Sequence, residues 1–378
     1  MGRDTPVTDW VEAPLRYAAE DLDDYLDVRE VLTAAAVGTM VDPIQLGGRN
    51  PNWVSRTTKG HSLFVKYETT APPAPRTCSR AKTFHDLLDA DDRLRRNIST
   101  PTLRAMSEDG RVQVYDVVPQ SPTAQQRLVE RTLHPRTMYR IGQSVGVLHA
   151  ARIDTAPAVH PAGAMPSSFA VGDVDDAIVP GLSAAQLVAL RLLHGDRALH
   201  TAATRLLSDP SPTPSGPLHG DLRLDQILIS DDEHHWIIDW EEFGTGPTAR
   251  DLGSLIGDIV NTSVIASLCS LGSDPSGREA HETAVRTGLE NAKTLAKELC
   301  SGYQEAWCRT RPRRLLDRVW AAEISRFAGW HQLDRLLANA AGVVTLTAQS
   351  RALAGIGRAL LLDPDAFIEE FELDRITA

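Results

Sequence analysis

The stretch from Leu218 to Glu241 constrains this chain more than any other part of the sequence. It begins with LHGDLRLDQILI and, after a short acidic turn, ends with WIIDWE. The pattern predicts a loop that holds Asp221, a short strand, a turn over residues 230–235 and a second strand that delivers Asp239. Two carboxylates are therefore expected at the ends of neighbouring strands. The amide of Gln226 follows the first carboxylate in the same segment.

This set of side chains matches the needs of phosphoryl transfer. One carboxylate orients an attacking hydroxyl and accepts its proton, while a second carboxylate and an amide oxygen hold magnesium on the phosphates. Protein kinases carry the pattern H-R-D-x-x-x-x-N followed by D-F-G. This chain has H-G-D-x-x-x-x-Q followed by I-D-W-E. The segment therefore predicts an altered kinase site.

Upstream, three extended segments separated by turns predict a three-stranded antiparallel meander over residues 40–46, 53–58 and 62–67. Its first turn contains Gly47, Gly48 and Arg49, and a glycine pair lets backbone N–H groups approach an anion. Lys66 ends the third strand, where it could neutralise phosphates. Taken alone, such a glycine pair more often marks a plain hairpin turn, and such a lysine more often faces solvent. Together with the downstream carboxylates, they predict nucleotide contacts.

The next segment is predicted to form a helix over residues 80–94. Kinases carry on this helix a glutamate that pairs with the strand lysine. No glutamate is present here, and the nearest acid, Asp86, could equally lie on the exposed face. A second hairpin over 102–118 leads into a predicted hinge, where Val117 and Val118 would meet adenine through the backbone.

The remainder is mainly helical by its apolar spacing, with an irregular insert over 153–180 that is expected to line the acceptor site. The helix over 135–151 is predicted to be core scaffold, and His149 near its end is predicted to be structural. Further helices are expected over 184–207, from 253 to about 265, and over 281–306, 314–340 and 346–362.

Bulk properties exclude several classes of protein. A chain of 378 residues can form two lobes with a sizeable core. Its net charge of −11 argues against general nucleic-acid or anionic-membrane binding, because phosphate surfaces select basic proteins. The charge fits a cationic substrate or simply a soluble surface.

The four cysteines contain no C-x-x-C pair, which argues against a zinc or redox site and favours free thiols in a reducing cytoplasm. The N-terminus lacks the apolar core of a signal peptide, and no apolar run of about 18 residues predicts a membrane span. A cytoplasmic location is therefore expected.

Three segments, residues 218–229, 237–241 and 247–252, resemble the aminoglycoside phosphotransferase and choline kinase-like family. The family pattern is L-x-H-G-D-L-x-x-x-N-I-L, then I-D-W-E, then G-x-P-x-x-D-L. The resemblance implies an α+β, bilobal protein-kinase-like fold with ATP between the lobes. The small antiparallel-sheet N-terminal lobe would span residues 1–118, and the mainly helical C-terminal lobe residues 119–378.

The resemblance also implies roles for individual residues. Asp221 would be the catalytic base, and Asp239 the main Mg²⁺ ligand. Lys66 would bind the phosphates of ATP. Asp251 would be a structural acid that braces the catalytic loop.

Two positions raise questions of their own. Gln226 replaces the family's asparagine; its amide oxygen could still reach the metal, although one extra methylene moves it by about 1.5 Å. Arg223 stands where protein kinases carry a lysine aimed at the γ-phosphate, so it could supply transition-state charge. A surface arginine is an equally good interpretation of Arg223.

A narrower resemblance concerns residues 47–53 and 64–66. They resemble the kinase of class V lanthipeptide and thioamitide pathways in actinobacterial clusters. That resemblance implies phosphorylation of Ser or Thr in a precursor peptide, followed by phosphate elimination by a separate lyase. Two alternatives stay open: a small-molecule kinase acting on an aminoglycoside, macrolide, choline or sugar, and a pseudokinase that binds without turnover.

Overall fold

The structure is a computed structural model, and it describes residues 26–46, 51–67, 75–119, 121–153, 172, 179–271 and 277–373. The predicted glycine turn over 47–50 and most of the predicted insert over 153–180 lie outside the described residues. Predictions about those segments stay predictions.

The N-terminal part is a helix followed by an antiparallel sheet of the order β1-β2-β3-β5-β4. Its elements are α1 (Leu26–Ala34), β1 (Met40–Leu46), β2 (Asn52–Thr57), β3 (Ser62–Tyr67), β4 (Leu103–Met106) and β5 (Val112–Asp116). The predicted meander and second hairpin are confirmed. The register shift in β1 falls at Pro43, which an edge strand tolerates because its outer N–H groups bond to no neighbouring strand.

Alternation along the strands explains the two faces of this sheet. Trp53, Leu63, Val65 and Val114 are fully buried on one face, in a cluster that also takes in residues of α1. The next residue after Val65 is Lys66, which therefore points to the opposite face. The sheet thus buries one face in its own core and presents the other, with the lysine, to the cleft.

Aspartate caps divide two of the predicted helices. The expected helix over 80–94 is two helices, because Asp91 accepts hydrogen bonds from the N–H groups of a new first turn. The expected helix over 184–207 is likewise divided by Asp196, whose side chain accepts from the N–H of Leu199. The four resulting helices are α2 (Pro75–Ala90), α3 (Asp92–Asn97), α6 (Ala184–Gly195) and α7 (Arg197–Ser208).

The C-terminal part is mainly helical, as predicted. Its other helices are α4 (Ala124–Val129), α5 (Pro135–Ala150), α8 (Ala249–Cys269), α9 (Arg278–Cys308), α10 (Arg318–Asn339), α11 (Ala348–Leu362) and α12 (Pro364–Glu370). The first and the last of these were not predicted. In the described part of the chain, α8 alone is long and apolar enough to cross a membrane, but 78% of its most apolar window is buried inside the fold. A core helix of a soluble protein has the same property.

Two short antiparallel pairs of strands hold the segment from Leu218 to Glu241. The strand β6 (Ser215–Leu218) pairs with β9 (Gly244–Pro247), and β7 (Ile227–Ile229) pairs with β8 (His235–Ile237). The β7–β8 hairpin was predicted, whereas the β6–β9 pair was not. Together they fix both ends of the loop that carries Asp221.

The largest hydrophobic cluster joins the C-terminal helices to α2. Phe84 is fully buried and lies stacked on Trp240, with ring centroids 3.5 Å apart and planes 7° apart. The helix α2 therefore packs on residues 218–241, the predicted catalytic segment, while the sheet has a separate core. The division into lobes at residue 118 stays a prediction.

Candidate active site

A cleft of about 390 Å³ opens between the sheet and the catalytic segment. Most of the predicted site residues described in the structure line it: Lys66, Val117, Val118, Arg223, Gln226 and Asp239. Asp221 lies beside it, with its Oδ2 3.5 Å from the side-chain amide of Gln226. The predicted nucleotide contacts Gly47, Gly48 and Arg49 lie outside the described residues.

The loop that carries Asp221 is held by a buried acid. The carboxylate of Asp251 accepts hydrogen bonds from the backbone N–H groups of His219 and Gly220, at 2.7 and 3.0 Å. It also contacts Nε2 of the fully buried His149 at 3.1 Å. Burial raises the pKa of Asp251, but the hydrogen bond and the charge of His149 outweigh that effect and lower it. These contacts are what the structural roles predicted for Asp251 and His149 require.

The glycine before the predicted base is required by its backbone and by its neighbour. Gly220 has a φ of 92°, in the left-handed region, and a Cβ there would lie 2.2 Å from the carbonyl oxygen of Glu242. The guanidinium of Arg250 donates to the carbonyl oxygen of Gly220 at 2.6 Å. The loop is thus closely packed immediately before Asp221.

Asp239 follows β8 in a left-handed conformation, with φ 68° and ψ 57°. Nζ of Lys66 donates to its Oδ1 at 2.6 Å and also to Oε2 of Glu241. Burial alone would lower the pKa of Lys66, but the two carboxylates outweigh it and raise that pKa. Burial would raise the pKa of Asp239, and Lys66 outweighs it and lowers that pKa. Both side chains are therefore held in their charged forms.

Glu241 is the site residue that sequence reasoning missed. It supplies the acidic partner that α2 lacks, and the I-D-W-E motif was the available signal. Asp86 takes no part, because it forms an exposed ion pair with Lys82 one turn earlier on the same helix. The lysine of β3 is thus paired with two acids of the segment 239–241, and not with α2.

Gln226 and Arg223 lie next to Asp221. With the amide of Gln226 oriented to satisfy both of its ends, its nitrogen donates to the backbone oxygen of Asp221 at 2.6 Å. Its oxygen then accepts from the Arg223 guanidinium at 3.0 Å. The side chain of Gln226 is buried and lines the cleft. A contact between its oxygen and a metal stays a prediction.

Arg223 is not a plain surface arginine. Its side chain is only 19% exposed, and its guanidinium lies 3.6 Å from Oδ2 of Asp221 and 3.2 Å from Oδ1 of Asp225. Burial would lower its pKa, but Asp221 and Asp225 outweigh that effect and raise it. A fixed positive charge therefore lies beside the predicted base, as the role in transition-state stabilisation requires.

The donor set fits magnesium only if the nucleotide completes it. Among the residues that the structure describes, no cluster of three His, Cys, Asp or Glu side chains could hold a metal by itself. Mg²⁺ prefers oxygen ligands and usually binds one or two carboxylates together with substrate phosphates and water. Asp239 lines the cleft and offers such oxygens, and Glu241 lies close by on the same lysine.

Apolar side chains also line the cleft. Val54 and Phe64 come from the sheet, and Leu228 and Ile238 come from the β7–β8 hairpin region. The N–H of Val117 is used by the carbonyl oxygen of Ser62, at 3.0 Å. Val117 and Val118 follow β5 directly, and both line the cleft.

The sequence matches the phosphotransferase enzyme family over residues 41–282, more than half of the chain. The chain belongs to this family. The predicted enzyme class, a phosphotransferase, and the predicted family are thereby confirmed, and the matched range includes Lys66, Asp221 and Asp239. A comparison with curated proteins gave no match.

Solved structures give the same fold. An amicoumacin kinase, hAmiN in complex with AMP-PNP, Ca²⁺ and Ami, is 14% identical with a TM-score of 0.52, covering 91% of this phosphotransferase and 96% of that chain. A choline kinase from Cryptosporidium parvum is 13% identical with a TM-score of 0.50, covering 88% and 91%. At these identities the likeness shows the fold, and it confirms the predicted kinase-like arrangement of an antiparallel sheet and a mainly helical part.

Proposed function

We propose that this phosphotransferase transfers the γ-phosphoryl group of ATP, with Mg²⁺, to a hydroxyl group. One observation carries the proposal: Lys66 of β3 reaches across the cleft to Asp239, within the same site as Asp221. A phosphate-binding lysine, a metal-binding carboxylate and a carboxylate base are the parts that kinases bring together. The amicoumacin kinase structure, which contains AMP-PNP, supports a nucleotide in this fold.

The cleft suggests how ATP would lie. The adenine would lie among the apolar lining residues Val54, Phe64, Leu228 and Ile238, beside the backbone of Val118. The phosphates would lie toward Lys66. The oxygens of Asp239, Gln226 and Glu241 would hold Mg²⁺, which neutralises charge on the β- and γ-phosphates when bound.

The chemical step needs one base and one fixed cation. Asp221 orients the acceptor hydroxyl and takes its proton as the new P–O bond forms and the bond to the β-phosphate oxygen of ADP breaks. Arg223 lies beside this carboxylate and would stabilise the charge on the transferred group. Most of the rate enhancement would come from positioning and electrostatics.

Two candidate acceptors have different support. Structural neighbours that are named as amicoumacin and choline kinases favour a small hydroxyl-bearing molecule. Ser or Thr of a precursor peptide, with a partner lyase, is a second candidate that rests on the resemblance of residues 47–53 and 64–66 alone. The pseudokinase alternative loses one of its two grounds, because Glu241 replaces the missing partner of Lys66.

The test is phosphoryl transfer by purified protein with ATP, Mg²⁺ and a panel of amino-alcohols, sugars, antibiotics and Ser/Thr peptides, read by mass spectrometry. Asp221→Ala should lower the transfer rate by about 10²–10⁴-fold, since general-base catalysis contributes that much. Asp86→Ala, which removes an exposed acid on α2, is the matched control and should retain full activity. Unchanged activity of Asp221→Ala would refute its assignment as the base.

A further inference from the structure

The helix α2 carries a buried cation where it meets the catalytic segment. The side chain of Arg80 is only 8% exposed, and its Nη1 lies 2.5 Å from Oε2 of Glu242. An ion pair of this kind is held more strongly than one at the surface, because water screens it less. Removing one partner leaves the other as a buried charge without compensation, which is costly.

Two consecutive glutamates are divided between two elements. Glu241 pairs with Lys66 of β3, whereas Glu242 pairs with Arg80 of α2. Both glutamates belong to a single 3-10 turn, Trp240–Glu242, that starts directly after Asp239. The turn next to the metal-binding carboxylate is therefore tied to the sheet and to α2 at once.

Other contacts connect the same turn with the catalytic loop. Trp240 stacks on Phe84, which lies one helical turn after Arg80 on α2. The backbone of Glu242 packs so closely on Gly220 that no Cβ fits between them. A shift of Glu242 would therefore move the residue that precedes Asp221, as well as the turn that follows Asp239.

We propose that Arg80 is a positioning residue: its ion pair with Glu242 seats the turn Trp240–Glu242 on α2 and so holds Asp239 and Asp221 in place for Mg–ATP. In kinases the helix contributes an acid that pairs with the strand lysine, whereas here α2 contributes a base that pairs with Glu242. The helix supplies a cation, and the metal-binding segment supplies both anions. The inference rests on the proposed function, since it assigns Asp239 to the metal.

The test compares Mg²⁺ dependence in full-length variants. Calorimetry measures ATP binding with and without Mg²⁺, and kinetics give kcat and KM for ATP. Arg80→Met should raise the Mg²⁺ concentration needed for half-maximal ATP binding, and lower kcat, by about tenfold or more, as expected for residues that support metal ligands. ATP binding without Mg²⁺ should stay unchanged. Lys82→Met, two residues further along the same helix in an exposed pair, should match the wild type in every measurement.

A double-mutant cycle decides whether the pair acts as a unit. Glu242→Gln should reproduce the defect of Arg80→Met, and the double variant should be no worse than either single variant. Additive effects, or an Arg80→Met protein that behaves like Lys82→Met, would overturn the inference. If circular dichroism shows Arg80→Met unfolded, Arg80→Lys and Glu242→Gln decide in its place. A failure of the proposed function is distinct, because the wild type itself would then bind no Mg–ATP.

Discussion

At the scale of single residues, charge at this site is set by neighbours more than by burial. Lys66 and Asp239 are each in surroundings that by themselves favour the neutral form, and each keeps its charge because the other is present. A nucleotide and metal would enter between groups that are already charged. Mutual pairing therefore prepares the cleft before any ligand binds.

Substitution of Gln226 tests whether this residue binds the metal. If its amide oxygen helps to bind the metal, Gln226→Ala should raise the Mg²⁺ concentration needed for half-maximal ATP binding by about tenfold. Gln226→Asn should retain most of the affinity, because it keeps the oxygen ligand. Calorimetric titration of Mg²⁺ in the presence of ATP measures both variants. Gln143→Ala, on the surface of α5, serves as the control, and wild-type affinity in Gln226→Ala would remove this residue from the metal site.

At the scale of elements, the catalytic loop depends on how closely α5 approaches α9. A Cβ on Gly302 would lie 1.9 Å from the carbonyl oxygen of Tyr139, and one on Gly142 would lie 2.0 Å from that of Leu299. The two helix backbones are thus nearly in contact. Since α5 also carries His149, which contacts Asp251, this crossing sets the position of the acid that braces the loop.

Gly302→Ala should therefore lower the free energy of unfolding by about 1–3 kcal/mol, because a methyl group forces the helices apart. Gly355→Ala is the control: it also lies inside a helix, α11, but a Cβ there meets no atom within 4 Å. That change should instead raise the free energy of unfolding by about 0.4–1 kcal/mol. Urea denaturation compares them, and equal effects of the two substitutions would contradict the close crossing.

At the scale of the whole molecule, separate cores are joined through the site. The sheet has one cluster, and the catalytic segment, α2 and most of the C-terminal helices share another. The Lys66–Asp239 ion pair and the ties of the turn Trp240–Glu242 connect them. Order in the cleft therefore depends on packing throughout the chain.

The free energy of unfolding should fall in mild acid because the folded protein disfavours protonation of His235. Its Nε2 bonds to the hydroxyl of Ser144 at 3.0 Å, and burial, helped by His234 and Arg140, lowers its pKa to about 4. Between that value and the ordinary pKa near 6.5, the unfolded chain binds a proton that the folded protein does not. The contribution to stability is therefore complete above about pH 6.5 and is lost as the pH falls toward 4, by about 1.2 kcal/mol per pH unit near pH 5.

The measurement is the free energy of unfolding between pH 7 and pH 4.5. His235→Asn should flatten this dependence by about one proton, whatever its effect at neutral pH. His234→Asn, which changes the exposed neighbour, should leave the slope near that of the wild type. An unchanged slope in His235→Asn would show that other groups cause the acid sensitivity.

Local patterns predicted much of the fold because they depend on neighbouring residues. The long helices follow from apolar periodicity, the meander and the β7–β8 hairpin from extended segments between turns, and the Asp221 segment from a short motif. Helix ends were harder to predict from the sequence. The caps at Asp91 and Asp196 divide helices whose apolar spacing continues across the break. The β6–β9 pair joins short segments separated by the whole catalytic loop, so no local period marks it.

The sequence by itself determined the chemistry available: which acids, which lysine and which loop could serve phosphoryl transfer, because motif spacing fixes residue type and local geometry. The tertiary structure alone decided the partners. In the folded chain, Lys66 forms ion pairs with Asp239 and Glu241, and Arg80 forms one with Glu242. These pairs join residues more than 150 positions apart in the chain. Their contacts depend on the packing of α2 and the sheet around the cleft, which no short stretch of sequence encodes.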